Sequence, residues 1–299
     1  MAFVKNIFPV DKPIAVVFSL RLGLGGAEAM AVELARAYHA LGYRVLFLYA
    51  AGGADIDWPV GIDCQRVNIP GTALVAIGDA RGLLSKLTLQ LVDLYNPLAF
   101  KPLFKAIESY LDGRVVELIH FNKMRGLSPW IFAALSRRFS AKIFYTAHDY
   151  ELFGPNAKKS MLGSVAGRIY RYFRRQPLRH LDAIYCPSHY LERCVKTAFP
   201  QLISKVKVLE NFCFEDGERP LLDEALSNRK VMGFLGRLEA IKGVELLCRA
   251  FSVGNINMPL LIAGDGSCKE ALALHYSSDQ VRFAGVLQGQ AKTDFIRQL

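Results

Sequence analysis

The stretch VMGFLGRLEAIKGVE, which begins at residue 231, constrains the fold most tightly because it predicts a strand, a loop and a helix in immediate succession. The short apolar run Val231–Leu235 is typical of a buried strand. Gly236-Arg237 follows this run directly, and Lys242 precedes a segment, Val244–Phe251, whose apolar residues repeat with helical spacing.

The composition of this loop indicates a site for an anion. Its glycines allow the backbone to come close to a ligand, and the start of a helix favours negative charge. Arg237 adds a planar guanidinium and Lys242 a compact positive charge at the same place. We therefore predict a phosphate or diphosphate site at the carboxyl end of a strand. A solvated loop that carries two cations is the alternative.

A similar strand, glycine loop and helix lie near the N-terminus. Ile14–Leu20 predicts a strand, a glycine-rich turn follows, and residues 27–41 have helical apolar spacing before a second strand at Arg44–Ala50. This order is the start of a βαβ unit and predicts an α/β fold with parallel strands. The loop lacks the GxGxxG pattern of dinucleotide-binding folds, and a tight structural turn is the alternative reading of its glycines.

Five stretches together, in their order along the chain, are similar to one known family: LGLGGAEAMAVELARAYHALGYRV, FYTAHD, KVKVLENF, GFLGRLEAIKGVELLCRAF and PLLIAGDGSCKEAL. They resemble the B-type glycosyltransferases, in the retaining branch called group 1 or family four. The resemblance implies an α/β fold with two Rossmann-like domains. Residues 1–214 would form the N-terminal, acceptor-side domain, and residues 215–299 a partial C-terminal domain that binds a nucleotide-sugar.

The same resemblance implies the chemistry: an enzyme of the hexosyltransferase type that moves a sugar from a nucleotide-diphosphate-sugar to a saccharide or lipid-linked acceptor. The nucleotide-sugar is a substrate, so no cofactor and no metal are expected. The residues that the resemblance assigns to donor binding are Gly25, Gly26, Asn211, Gly236, Arg237, Lys242, Gly264 and Gly266. Those that it assigns to catalysis are His120, His148 and Asp149.

Two positions depart from the family's pattern. Members often carry a second histidine where Asn122 stands, and the family has a glycine where Phe212 stands. The first departure leaves the role of His120 open between a catalytic and a structural one. His148 and Asp149 match a family signature at a cleft, although such a pair can also form a local cap or a loop hydrogen bond.

The net charge of +10 is concentrated in the segment 157–180, where arginines and lysines alternate with apolar residues. The apolar positions 162, 165, 169, 172 and 173 have helical spacing. This predicts a basic amphipathic helix that either contacts an anionic membrane surface or packs its apolar face on the sheet. A single helix of this kind does not indicate a nucleic-acid partner.

Localisation follows from what the chain lacks at the sequence level. Its apolar runs have the length of strands, so we expect no transmembrane segment. The six cysteines show neither CxxC nor metal-ligand spacing, which is typical of a reducing compartment. We therefore expect a cytoplasmic protein that can lie on the inner face of the membrane.

The C-terminal domain is short for its type. A Rossmann-like half needs about six strands, whereas the residues after the predicted linker at 215–230 predict fewer, and a family motif of two glutamates that contacts the donor's sugar and ribose is not found. We therefore expect a truncated form with little or no transfer activity. The alternatives are an epimerase of the same fold with its own acid–base groups, or a degenerate relative that only binds or scaffolds.

Overall fold

The computed structural model describes residues 12–23, 25–53, 56–70, 95–153, 165–212, 231–254 and 256–299. The chain divides into two compact units, Met1–Glu215 and Asp216–Leu299. The predicted linker and residues 157–164 of the basic segment lie outside the described residues. Within the described ranges, no helix is both long and apolar enough to cross a bilayer.

The first unit contains a seven-stranded sheet in the order β3-β2-β1-β4-β5-β6-β7. All of its strand pairs are parallel. The strands are β1 (Ile14–Leu22), β2 (Arg44–Gly52), β3 (Ile62–Arg66), β4 (Val116–Phe121), β5 (Lys142–Thr146), β6 (Ala183–Cys186) and β7 (Val206–Val208). The predicted α/β class with a parallel sheet is confirmed.

Helices cover both faces of this sheet. They are α1 (Gly26–Ala40), α2 (Phe100–Leu111), α3 (Trp130–Phe139), α4 (Val165–Leu178) and α5 (His189–Ala198), with short 3-10 helices at Pro97–Ala99, Tyr150–Phe153 and Pro200–Lys205. Alternate residues of β1 enter two separate cores. Val16 and Phe18 pack with residues of α2, α3 and α5, whereas Ala15 and Val17 pack with residues of α1. A strand buried on both faces needs a continuous apolar run, which explains the sequence of β1.

The strand order reverses between β1 and β4. From β1 the chain moves outward to β2 and β3, and it then returns to β4 on the other side of β1. In open α/β sheets, ligands bind beyond the carboxyl ends of the strands at such a reversal. The Gly25-Gly26 turn follows β1 and Asn122 follows β4, so the topology brings both segments to this point.

The second unit has a parallel sheet in the order β10-β9-β8. Its strands are β8 (Met232–Leu235), β9 (Leu260–Ala263) and β10 (Val281–Gly285). Its helices are α6 (Val244–Val253), α7 (Lys269–Tyr276) and α8 (Gly289–Arg297), and a 3-10 helix, Ala240–Lys242, precedes α6. Val244, Cys248 and Phe251 of α6 are buried against the strands, as the helical spacing predicts.

The spacing of its apolar residues suggests which face of helix α4 packs on the core. In the structure the opposite face packs there. Three large side chains of that apolar face are more than half exposed: Ile169, Tyr172 and Phe173. Arg174 is only 1% exposed. Its guanidinium donates to the carbonyl oxygen of Glu151 at 3.0 Å and to the hydroxyl of Tyr170, whose ring centroid lies 4.4 Å away. A buried cation needs such partners, so Arg174 fixes the rotation of α4, and the alternative that this face packs on the sheet is wrong.

Two glycines of the second unit allow a matched test of its loop packing. Gly264 and Gly285 have φ values of +143° and +70°. A Cβ on Gly264 would collide with the carbonyl oxygen of Gly236, whereas a Cβ on Gly285 would meet no atom within 4 Å. We expect Gly285→Ala to lower the free energy of unfolding by about 1–2 kcal/mol. Gly264→Ala should cost at least about 2 kcal/mol more, because the collision adds to the backbone strain.

Amide hydrogen exchange of residues 256–299 in increasing urea measures both losses in the second unit itself. Equal losses for the two variants would contradict the tight approach of the two loops.

Candidate functional site

The turn between β1 and α1 forms one side of the carboxyl edge of the first sheet. Gly25 is the N-cap of α1, with φ −73° and ψ 155° and no side-chain cap. The carboxylate of Glu28 folds back over Gly25 so closely that a Cβ there would collide with it, and it also lies 3.8 Å from Lys123 Nζ. Gly26 is exposed, and a Cβ added to it would meet no atom within 4 Å. The start of α1 at this edge favours an anionic or polar ligand group.

His120 lies at the end of β4 but has no exposed surface. Its Nδ1 is 2.8 Å from the hydroxyl of Tyr38, and its Nε2 is 2.8 Å from Oγ1 of Thr146. The ring stacks on Tyr185 with centroids 5.7 Å apart and meets Phe144 edge-on. Both ring nitrogens are therefore engaged inside the fold, which favours a positioning role. Its predicted catalytic role stays a prediction.

Asn122, two residues beyond His120, joins two segments of the edge. Its amide nitrogen donates to the carbonyl oxygen of Ala27 in the first turn of α1. Because a carbonyl oxygen only accepts, the other end of the amide, Oδ1, faces His148 and lies 2.8 Å from its Nε2. The hydrogen of neutral His148 is therefore on Nε2. Nδ1 is left as an acceptor, and within the described ranges it makes no hydrogen bond.

Asp149, next to His148, is exposed, and its Oδ1 accepts from the backbone N–H of Glu151 at 2.7 Å. It thereby caps the short helix Tyr150–Phe153. This is the local cap that the sequence left as an alternative. A contact with a ligand stays a prediction for this residue.

Both histidines are held in the neutral form. Burial and, to a smaller extent, the charge of Lys123 lower the pKa of His148 to about 4, against the opposing effects of Asp149 and Glu28. Burial lowers the pKa of His120 to about 3, with a smaller contribution from His148. At neutral pH the edge thus offers the unprotonated Nδ1 of His148 rather than a positive charge.

Asn211 follows β7 and is exposed. Three strand positions separate β7 from β4 in the sheet, and within the described residues no hydrogen bond joins Asn211 to the network around Asn122. Phe212 packs partly against the core that contains β1 and α1. Among the described non-glycine residues, only Asp112, Ser128 and Ser140 have positive φ. The backbone at Phe212 therefore does not need the glycine of the family pattern.

The second unit places Arg237 and Lys242 between β8 and α6, where both are exposed. Among the residues that the structure describes, neither has a carboxylate partner within ion-pair distance. Gly243, with φ +71°, is the N-cap of α6 and provides no side-chain hydrogen bond. The first amides of α6 and two cations are thus together at a strand end, as the sequence predicts for a phosphate site.

Gly264 and Gly266 pack against the backbone of this loop. Gly236 N–H bonds to Ala263 O at 3.0 Å, and Leu238 N–H bonds to Asp265 O at 2.9 Å. A Cβ on Gly266 would lie 2.6 Å from Leu238 O. In the described structure the space beside these two glycines is therefore occupied by the backbone of the chain's own loop. Their predicted contact with the donor stays a prediction.

Two residues of the site are not found by sequence reasoning. Tyr38 lies in the last turn of α1, where the sequence shows only an ordinary aromatic residue, and Lys123 is one of many cations. Their partners, His120 and Glu28, are far away in sequence. The only available signal was the polar cluster that follows β4.

Comparison with known proteins identifies the family to which this chain belongs. The family described as the glycosyl transferase 4-like domain matches residues 25–201. This match covers more than half of the chain, and the chain therefore belongs to that family.

The chain is also similar to individual proteins. An uncharacterized 42.6 kDa protein in the cps region of Klebsiella pneumoniae is 24% identical over an alignment of 227 residues that covers 72% of this chain and 58% of that protein. The crystal structure of Anabaena HepE with UDP-glucose matches 92% of this chain and 69% of its own, with TM-score 0.54 and 18% identity. The structure of a mutant of S. aureus TarM with UDP matches 96% and 79%, with TM-score 0.59 and 9% identity. At these identities the two structures establish the fold.

The neutral state of His148 predicts a pH dependence of stability. Its pKa in the folded state, about 4, lies below the value of about 6.5 in an unfolded chain. The unfolded chain therefore takes up the proton first, and stability is lost as the pH falls below about 6.5. Between pH 7 and pH 5, wild type should lose about 2 kcal/mol more than His148→Gln. Urea denaturation at the two pH values measures this, and equal losses would show that His148 titrates normally.

Proposed function

We propose that the sites of this chain serve the transfer of a sugar from a nucleotide-diphosphate-sugar to a saccharide acceptor with retention of the anomeric configuration. The observation that carries the proposal is the loop in which Arg237 and Lys242 flank the start of α6. Family membership supports it, as does the UDP-glucose bound to HepE.

We propose that this loop binds the diphosphate of the donor. The fork of Arg237 suits two phosphate oxygens, Lys242 adds a point charge, and the amides after Gly243 add the helix N-terminus. As the bond to the sugar breaks, the diphosphate gains negative charge, and cations already in place stabilise that charge without reorganisation. We propose that no metal is needed, because these groups supply the positive charge.

In the proposed step, the bond between the anomeric carbon and the diphosphate oxygen breaks. The oxygen of an acceptor hydroxyl bonds to that carbon on the same face, and its proton passes to the departing phosphate oxygen. We assign the first unit to the acceptor side, at the edge formed by the Gly25-Gly26 turn and His148.

We assign separate roles to the three residues first predicted as catalytic. His148 would accept a hydrogen bond from a sugar hydroxyl through Nδ1, since its Nε2 is committed to Asn122. His120 would hold the end of β4 in place through its two hydrogen bonds. Asp149 would shape the turn after His148 through its cap.

The acceptor and the location complete the proposal. The cps-region name of the Klebsiella relative supports a saccharide of a cell-envelope polysaccharide, free or lipid-linked. We propose that the protein works in the cytoplasm, where the free cysteines remain reduced. We further propose that the basic segment 157–180 brings it to the inner face of the membrane, where a lipid-linked acceptor would lie.

The donor site is tested with UDP, the nucleotide in the HepE and TarM complexes. Arg237→Ala should weaken the binding of UDP by about 2–4 kcal/mol, because the diphosphate loses its bidentate partner. Arg249→Ala, which removes an exposed arginine on the outer face of α6, is the matched control and should bind UDP as wild type does. Calorimetry measures both, and equal UDP affinity in the two variants would refute the assignment of this loop.

A further inference from the structure

A cleft of about 710 Å³ lies between helices α4 and α5 of the first unit. Its volume is in the range of ligand sites in proteins. Four arginines line it: Arg168, Arg171 and Arg175 from α4, and Arg193 from α5. None of the glycine-loop, histidine or Arg237 residues described above belongs to its lining.

The cleft has an excess of positive charge that the described protein does not neutralise. Its lining contains no aspartate or glutamate among the described residues. Within those residues, Arg168, Arg175 and Arg193 are exposed and have no ion-pair partner. The nearest acidic residue of α5, Glu192, is already bonded to Lys196 at 2.8 Å.

Like charges in the cleft oppose one another. Burial and the neighbouring charges of Arg168 and Arg175 lower the pKa of Arg171. A bound anion would relieve this repulsion, because each guanidinium prefers the bidentate oxygens of a phosphate or carboxylate.

An apolar surface adjoins the cleft on α4. Ile169, Tyr172 and Phe173 are 54%, 66% and 57% exposed. Tyr172 belongs to both features, since it lines the cleft and meets the ring of Phe173 edge-on at 5.7 Å. On the opposite wall, Tyr190 is 40% exposed. Exposed aromatic and aliphatic groups beside arginines are the pattern of a helix that lies in a membrane interface.

The apolar surface cannot turn inward. Arg174, on the other face of α4, is buried and bonded to Glu151 O and Tyr170. A rotation of the helix that hid Phe173 would expose Tyr170 and break these bonds. The arrangement of cations and apolar groups is therefore a fixed property of the folded first unit.

We infer that the α4–α5 cleft binds the phosphate headgroup of an anionic phospholipid while Ile169, Tyr172 and Phe173 enter the boundary of the acyl chains. The inference rests on the membrane contact in the proposed function and makes it specific by naming the residues and the lipid group. A phospholipid satisfies both features at once, because one molecule provides a phosphate and an adjoining apolar surface. A soluble phosphate compound would satisfy only the arginines.

The variant Arg168→Gln/Arg175→Gln/Arg193→Gln tests this with the full chain. These residues are exposed and make no hydrogen bond within the described structure, so the fold should persist, as circular dichroism can verify. A charge-matched control is Arg66→Gln/Lys207→Gln/Arg249→Gln, at exposed positions that are not part of the lining of the cleft. Both variants lose three positive charges, so a general attraction of a basic protein to anionic vesicles falls equally in the two.

We expect wild type to co-sediment with vesicles of phosphatidylglycerol and phosphatidylcholine, and not with phosphatidylcholine alone. The cleft variant should lose about 100-fold in partition coefficient, as for three arginines at an anionic surface, while the control should lose less than about tenfold. Equal losses in the two variants, or equal binding of wild type to neutral vesicles, would overturn the inference.

Two further measurements identify the source of the phosphate. Ile169→Ser/Phe173→Ser keeps every arginine and should also reduce vesicle binding, since the apolar contact is lost. Glycerol 3-phosphate in solution should not bind measurably without the vesicle. Tight binding of free glycerol 3-phosphate, with vesicle binding unaffected by the serine variant, would assign the cleft to a soluble ligand. No nucleotide donor is present in these measurements, so their outcome is independent of whether the protein transfers sugar.

Discussion

The amide of Asn122 is the interaction on which the carboxyl edge of the first unit depends. It donates to Ala27 O at the start of α1 and accepts from His148 Nε2 after β5. Only a side chain that carries a donor and an acceptor can make both bonds. A neutral histidine, which the family often has here, also carries one of each. The departure at this position therefore preserves the two functions that the bridge requires.

A second, buried set of hydrogen-bonded polar side chains holds the same part of the fold together. Tyr38, His120 and Thr146 connect α1, β4 and β5 through two hydrogen bonds of 2.8 Å. Because His120 is completely buried, a proton on it would carry an unsolvated charge. These buried hydrogen bonds therefore fix the strand ends, and the bridge made by Asn122 sets the orientation of the half-buried His148. The topology makes this possible, since β1 and β4 are neighbours at the strand-order reversal.

The sequence predicted the layout of the fold well because its signals are local. Apolar runs that end in glycine or polar residues identified β1, β2 and β8, and helical spacing identified α1 and α6. Helix α3 is absent from the sequence prediction, although Ile131, Phe132 and Leu135 repeat with helical spacing and are buried. The sequence also predicted the glycine-rich turn between β1 and α1 and the cationic loop between β8 and α6.

What could not be predicted depends on partners distant in sequence. A histidine at the end of a strand looks the same in the sequence whether its side chain is exposed or buried. The residue that hydrogen-bonds to the buried His120, Tyr38, is 82 residues away. The rotation of α4 depends on Arg174, whose burial contradicts the average preference of arginine and requires the carbonyl of Glu151. Gly264 and Gly266 suggested room for a ligand, but the described structure uses that room for the chain's own loop.

The edge of the first unit holds neutral His148 in one orientation, in which Nδ1 is an acceptor. Nitrogen-15 NMR of the His148 ring at pH 7, assigned with His148→Gln, tests this most directly. We expect hydrogen on Nε2 in wild type and a mixture of both tautomers in Asn122→Leu, which removes the acceptor. A proton on Nδ1 in wild type, a charged ring, or a spectrum unchanged by Asn122→Leu would contradict it.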